Sequence, residues 1–360
     1  MGIKIITRTA AVFAAVAVLA GGCAAGKTGA VGELPGIDDG KKLVVCTSHK
    51  EEVYEPIIRE FEDRTGIWVD VRQGGTKTML EMIRNDYEAG VYDVMFGGGV
   101  ETLNSYKEYF EPYEASQADK LQVNLRSADN SWTAFTELPI VFIYNTKIVS
   151  EEEAPKSWEE LFDEKWRGKI SFASPLNSGT SYTILSALIQ MATQKNAAEG
   201  KEADGQGITE QEILYKFYRQ LSGEQAAGSG QVLEEITNGS KSIGITLEET
   251  AIRRIAEGES IAMIYPKDWI VAVPDGCAIV KNAPNPENAK LFVDFIISRD
   301  VQNYMVAESY RRTVREDIEN PDYFPVIEPA DFDIVKSGED EERILELWMD
   351  IEGSEQEIGG

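Results

Sequence analysis

From Lys42 onward the chain alternates short apolar runs with longer amphipathic ones, and few folds accept that order. KLVVCT reads as a strand, and EEVYEPIIREFEDRTG reads as a helix with Val53, Ile57, Ile58 and Phe61 at helical spacing and Gly66 as its stop. IWVDVRQGG is a second strand, and TKTMLEMIRNDYEAG a second helix with Met79, Leu80 and Ile83 inward and Gly90 closing it. YDVMF is a third strand, broken by Gly97, Gly98 and Gly99. A βαβαβ run of this kind predicts a parallel sheet with ligands near the carboxyl ends of its strands.

A second α/β unit follows. ELPIVFIYNT is an apolar strand long enough to cross between lobes, SWEELFDEKWRG a short helix, KISFA a strand and TSYTILSALIQMATQ a buried helix. Residues 195–207 lack an apolar period and read as a surface loop. Helices are expected around 209–222 and 229–238, then strand SIGIT, helix LEETAIRRIAEG and strand SIAMIY. CAIV and the helices beginning at PNPENAKLFVDFIIS would return to the first lobe. At 360 residues the chain exceeds the roughly 100–200 of one domain, so two lobes are expected. The expected division is 41–137 with 268–335 as lobe one, 138–267 as lobe two, and 336–360 as an acidic, partly ordered tail. No period of twenty to fifty residues marks a solenoid.

The N-terminus sets the compartment. Lys4 and Arg8 precede the apolar AAVFAAVAVLA, and GGC follows, which reads as a secretory signal over 1–22. The apolar run is too short to span a bilayer stably. Leu19-Ala20-Gly21-Gly22-Cys23 resembles the bacterial lipobox, which implies that Cys23 is lipidated and tethers an exported protein to the membrane. An ordinary secreted protein with an incidental Cys23 is the alternative. Residues 23–40 read as a flexible tether. Cys46 and Cys277 lie in strand-like runs, and either a disulfide or two buried thiols is open.

With 62 acidic against 35 basic residues the net charge is -27, which argues against nucleic acid as a partner. His49 is the only histidine, and CxxC and His pairs are absent, so no metal site and no cofactor is expected.

The phrases SHKEEVYEPIIREFEDRTGIWVDV, YDVMFGGG, ELPIVFIYN, KISFASPLNSGTSY, SIGITLEE and NAPNPENAKLFVDFIIS together resemble an extracellular solute-binding protein of an ABC importer. The branch is the one that includes ferric-ion, phosphonate and sugar-phosphate binders, and the likeness runs from about Lys42 to Tyr310. It implies an α/β fold of the type II periplasmic-binding-protein kind. Each of the two lobes is then a mixed sheet flanked by helices, joined by a hinge of crossing strands. It implies a monomer without catalytic activity, with a small solute and the permease and ATPase subunits as partners. In the ferric branch the metal is held by a His in the HKE phrase, a Glu after the DVxF strand and an adjacent Tyr pair. Here His49 matches the first, Gly-rich GGGV takes the second with Glu101 displaced, and ITLEET replaces the Tyr pair. Ferric binding is therefore the rival reading.

In ASPLNSGTSYT, Ala173 to Thr183, small and hydroxyl-bearing residues stand where the buried helix begins. A helix starting at Gly179 or Thr180 offers free amides and a positive dipole end. Ser178, Gly179, Thr180 and Ser181 would then nest a phosphate, phosphonate or carboxylate without any Lys or Arg. The plain alternative is an N-cap that binds nothing. Ser48 and His49 past KLVVCT, and Gly98 and Gly99 past YDVMF, would face the cleft from the first lobe. Glu137, Thr246 and Glu248 complete the candidates, with Tyr182, Tyr265 and Trp132 as wall or core. Glu248 and Glu249 serve equally as first-turn residues of their helix. A carboxylate beside an anion favours a ligand that also bears an amine or hydroxyls. An exported hydrolase lacks a GxSxG elbow and a His paired with a Ser.

Overall fold

The computed structural model describes residues 39–201 and 207–359, so the signal segment, Cys23 and most of the tether lie outside the described residues. The chain opens with β1 (Lys42–Thr47), α1 (Glu51–Thr65), β2 (Trp68–Gln73), α2 (Thr76–Asp86), β3 (Val94–Gly99) and α3 (Val100–Ser105). Val53, Ile57, Ile58 and Phe61 bury the inner face of α1, and Gly66 ends it in the left-handed region at φ 69°. β2 and β3 both pair with β1 in parallel. β3 runs through all three glycines, with its register against the neighbouring strand shifting between Phe96 and Gly99, instead of stopping at Phe96.

After the short β4 (Phe110–Glu111) comes the thirteen-residue β5 (Thr133–Asn145). The next elements are α4 (Trp158–Leu161), β6 (Ile170–Ser171), α5 (Gly179–Ala198), α6 (Glu210–Leu221), α7 (Ser229–Asn238), β7 (Ile243–Leu247), α8 (Glu248–Ala256) and β8 (Ile261–Ile264). The chain then returns through β9 (Ala272–Val280), α9 (Pro286–Ile296), α10 (Arg299–Ser309) and β10 (Arg312–Thr313). It ends in α11 (Ile334–Glu339) and α12 (Glu341–Gly359).

The strand order β2-β1-β3-β9-β5-β7-β6 divides at β5. Thr133 to Pro139 pair with β9, and Thr136 and Glu137 with β10 on the other edge. From Ile140 onward the same strand pairs with β7 and β8. One strand thus belongs to a mixed sheet in each of two lobes, and the change of partners falls between Pro139 and Ile140.

Two expectations are corrected, and the open alternative for the cysteines is resolved. The expected loop at 195–207 begins as helix, because α5 continues to Ala198 with an exposed end that has no apolar period to reveal it. The acidic tail is ordered: α12 buries Ile344, Leu345, Trp348 and Ile351 against the second lobe. Cys46 lies beside Met95, and Phe96 beside Cys277, so β3 separates the two cysteines. Two strand spacings are roughly 10 Å, too far for a disulfide, and both thiols are free and buried.

Candidate functional site

A cavity of about 410 Å³ opens where β1 and β3 end, facing the start of α5 across the interlobe cleft. Ser48, His49, Gly98 and Gly99 line it from one side, and Ser178, Gly179, Thr180, Ser181 and Thr246 from the other. These nine are the sequence candidates the fold brings together.

His49 is packed between aromatic rings, 4.6 Å from Phe96 and 5.7 Å from Phe135 by centroids. Its backbone N–H donates to Thr47 Oγ1 at 3.1 Å, and Thr47 donates on to the Phe96 carbonyl at 2.7 Å, tying β1 to β3. Burial first, and the Arg311 charge second, hold the imidazole well below its ordinary pKa. It is therefore neutral, and its Nε2, 3.5 Å from Asp275 Oδ2, makes no ion pair and has no hydrogen-bond partner.

Arg311, just before β10, is a buried charge in the cleft, with 6% exposure. Nη1 donates to Asp275 Oδ2 at 2.6 Å and to Thr136 Oγ1 at 3.2 Å, while Nη2 lies 3.7 Å from Glu249 Oε1 of α8. Asp275 Oδ1 accepts from the Thr136 N–H at 2.8 Å and its hydroxyl at 2.7 Å. Burial raises the Asp275 pKa against the opposing pull of Arg311. Nε of Arg311 is buried without an acceptor, a cost the fold tolerates at sites that await a partner. Against the sequence reading, the cavity is not free of basic side chains: Arg311, Arg253 and Lys50 all line it.

On the facing wall α5 starts at Gly179. Ser178 caps it, its Oγ accepting from the Ser181 N–H at 3.2 Å and lying 3.0 Å from Ser229 Oγ. The cap occupies the Ser178 hydroxyl and the Ser181 amide. The amides of Gly179 and Thr180 have no intrahelical acceptor. No atom lies within 4 Å of where a Cβ on Gly179 would stand, so this turn is open. By contrast Gly97 and Gly98 have φ of 109° and 88°, and added side chains would strike Ser48 and Thr76. Their role is to let β3 turn tightly under the cavity.

Five candidates, Glu137, Glu248, Tyr265, Tyr182 and Trp132, do not reach the cavity. Thr136 faces Asp275, so the next residue, Glu137, points to the opposite face of β5, beside Arg312 of β10. Glu248 is gripped by Arg312 Nε and Nη2, both at 2.8 Å, and the Tyr265 hydroxyl donates to it. Glu249, one helical position on, faces the cavity instead. Tyr182 is buried in the core and donates to the Ser337 carbonyl of α11. Trp132 lines a separate hollow beside residues 331–336.

Besides Arg311, sequence reasoning missed Asp275, Glu249 and Thr183, and placed Glu101 only as a displaced family position. The doubled arginine at 311–312 was the available signal: both are buried, Arg311 against Asp275 and Arg312 against Glu248.

A site of hydroxyls, helix-end amides and a buried guanidinium between two hinged lobes defines a binding protein. The profile of the bacterial extracellular solute-binding protein family matches residues 92–333, and the chain belongs to that family, a non-catalytic component of transport. It is 25% identical over 299 residues to iron uptake protein A1 of Synechocystis sp., covering 79% of this chain and 78% of that one. A putative 2-aminoethylphosphonate-binding periplasmic protein of Salmonella typhimurium is 20% identical over 279 residues, 74% of this chain and 75% of that one. Among solved structures, the periplasmic binding protein AfuA of Actinobacillus pleuropneumoniae, with fructose-6-phosphate bound, superposes with a TM-score of 0.75. It is 21% identical and covers 86% of this chain and 98% of that one.

Proposed function

We propose that this ABC-transporter substrate-binding protein captures a small organophosphorus anion, a phosphonate or sugar phosphate, and hands it to the membrane permease. The observation that carries this reading is the pairing across one cavity of Arg311, with its unpartnered Nε, and the open first turn of α5. A phosphoryl group accepts from both a guanidinium and helix-end amides. Asp275 and Glu249 flank Arg311, so a bare multivalent anion meets carboxylates. A ligand with hydroxyls or an ammonium group gives those oxygens donors. The volume lies within the roughly 300–1,000 Å³ of small-molecule sites. Relatives named for 2-aminoethylphosphonate and fructose-6-phosphate support this chemistry.

The iron-uptake relatives favour the rival. Against it, among the described residues no three His, Cys, Asp or Glu side chains converge as a metal-ligand set, and the Tyr265 hydroxyl is taken by Glu248. A trivalent ion calls for several anionic oxygens. Calorimetric titration with 2-aminoethylphosphonate, glucose 6-phosphate, inorganic phosphate, a dicarboxylate and ferric citrate tests both readings. An organophosphate is expected to bind, Thr180→Val to weaken it by about 1–3 kcal/mol, and Gly179→Val to block it by filling the open turn. Ferric binding with a visible charge-transfer band, or unchanged organophosphate affinity in both variants, would overturn the assignment.

We also propose that Cys23, outside the described residues, carries the lipid that holds the protein at the outer side of the membrane. Cys23→Ala is expected to move the protein from the membrane to the soluble fraction on cell fractionation. Retention at the membrane would refute the anchor.

A further inference from the structure

We propose that Glu101 and Thr183 form a proton-linked latch between the lobes: the cleft closes with the Glu101 carboxyl protonated and donating to Thr183, so closure takes up one proton. The inference stands apart from the class of ligand.

Glu101, in the first turn of α3, belongs to the first lobe, and Thr183, in the second turn of α5, to the second. Glu101 Oε1 lies 2.7 Å from Thr183 Oγ1, and the same Oγ1 lies 3.0 Å from the Gly179 carbonyl oxygen. A hydroxyl has one proton and two lone pairs. If Glu101 is ionised, Thr183 can satisfy the carboxylate or the carbonyl, but not both. If Glu101 is protonated, its O–H donates to Thr183, whose own proton then goes to Gly179. Both contacts are thereby made.

The surroundings favour the neutral acid. Glu101 is 1% exposed, and its Oε2 has no hydrogen-bond partner. Among the described residues no cation pairs with it. From α12, Glu341 adds a like charge. From α5, Tyr182 is turned to Ser337, and from α11 the Gly338 backbone packs on the Glu101 carbonyl. From β9, Asp275 is held by Arg311. Gly99 leaves the carboxyl room, since a side chain there would collide with both of its oxygens. Burial accordingly pushes the carboxyl up to about 7, outweighing the Thr183 hydroxyl and the Glu101 backbone N–H, which as donors favour the ionised form.

The sign follows from linkage. In the open form the carboxyl meets water and has an ordinary pKa of about 4.3. The closed form holds the proton more tightly, so closure is most favoured below the open-state value. The closing equilibrium then falls about tenfold per pH unit as pH rises toward 7, and levels off above it.

The test needs no ligand. Small-angle X-ray scattering of the ligand-free protein is recorded from pH 4.5 to 8.5 for the wild type, Glu101→Gln and Thr183→Val. The wild type is expected to expand as pH rises through this window. Glu101→Gln, whose amide donates to Thr183 at every pH, is expected to stay compact throughout. Thr183→Val, without the bridging hydroxyl, is expected to stay expanded. Identical pH courses for the wild type and Glu101→Gln, whether flat or sloping, would overturn the latch. So would a Thr183→Val protein that closes at low pH as the wild type does, which keeps the test decisive should Glu101→Gln not fold. Either failure leaves the organophosphate reading untouched, because the titration panel alone decides that.

Discussion

Arg311→Ala is expected to unfold at a urea concentration corresponding to about 3–5 kcal/mol less stability, the usual consequence of removing one partner from a buried ion pair. The Asp275 side chain is 3% exposed, and its Oδ2 loses the 2.6 Å bond while Thr136 still serves Oδ1. An orphaned carboxylate can escape the penalty by protonation. Asp275 already sits above its ordinary pKa through burial, and without Arg311 it rises further. The deficit of the variant is therefore largest above its Asp275 value, where the orphaned carboxylate is ionised, and should shrink as pH falls through it. Arg311→Lys keeps the charge but not the fork that reaches Asp275 and Thr136 from one nitrogen while Nη2 approaches Glu249, so an intermediate loss is expected. Ligand affinity should fall in both variants, because the group with the free Nε is gone or reshaped. A variant with unchanged urea midpoint at pH 7 and unchanged affinity would remove Arg311 from the site and from the hinge alike.

What kept Arg311 from being placed in the cleft by sequence also explains which parts of the fold were visible. The βαβαβ start declares itself locally: Val53, Ile57, Ile58 and Phe61 repeat at the helical period, and the strands between are short apolar runs. β5 was legible as a crossing strand because ELPIVFIYNT holds a long apolar run, although the strand's first four residues, Thr133 to Thr136, carry no such signal. Helix-starting signals were likewise local, so the first turn of α5 fell where Ser178 and Gly179 place it. The charged part of the cleft is assembled from β5, α8, β9 and the link before β10, through contacts such as Asp275 with Thr136, 139 residues apart. No window of sequence contains such a pairing. Which of two adjacent glutamates faces the cavity is also decided by packing. Glu248 turns to Arg312 and Tyr265, leaving Glu249 the cleft, although both suit a first helical turn.

The glycine run shows the same limit from the other side. Gly97 to Gly99 were read as an interruption, a sound local inference for three residues that fit a strand poorly. The strand persists because β9 pairs across the shift in register, and Gly97 and Gly98 absorb the turn at positive φ. Ser48, Thr76 and the Glu101 carboxyl fill the space their missing side chains leave. The cleft floor and the proposed latch thus depend on one glycine run.

Trp348→Ala is expected to cost about 3–5 kcal/mol, because it empties a large buried site that neighbouring rings cannot readily refill. Negative charge along 336–360 suggested a loose tail, yet Ile344, Leu345, Trp348 and Ile351 recur at i, i+1, i+4 and i+7 and make one apolar stripe. Glu341, Glu342, Glu346 and Glu352 lie around them, and composition hid the period. Trp348 is fully buried, with ring centroids 5.4 Å from Tyr218, 6.1 Å from Phe172 and 6.3 Å from Phe217. It therefore joins α12 to α6 and to the chain just past β6, and α12 also packs on α5. Trp348→Phe should lose less, since a ring remains to meet Tyr218 and Phe217. The cleft is lined by the first turns of α5 and not by α12, so solute affinity of the folded Ala variant should stay close to that of the wild type. Urea unfolding of the two variants, with calorimetric titration of whichever solute the wild type takes up, separates the effects. An unchanged unfolding midpoint for Trp348→Ala would mean that α12 stands outside the cooperative core.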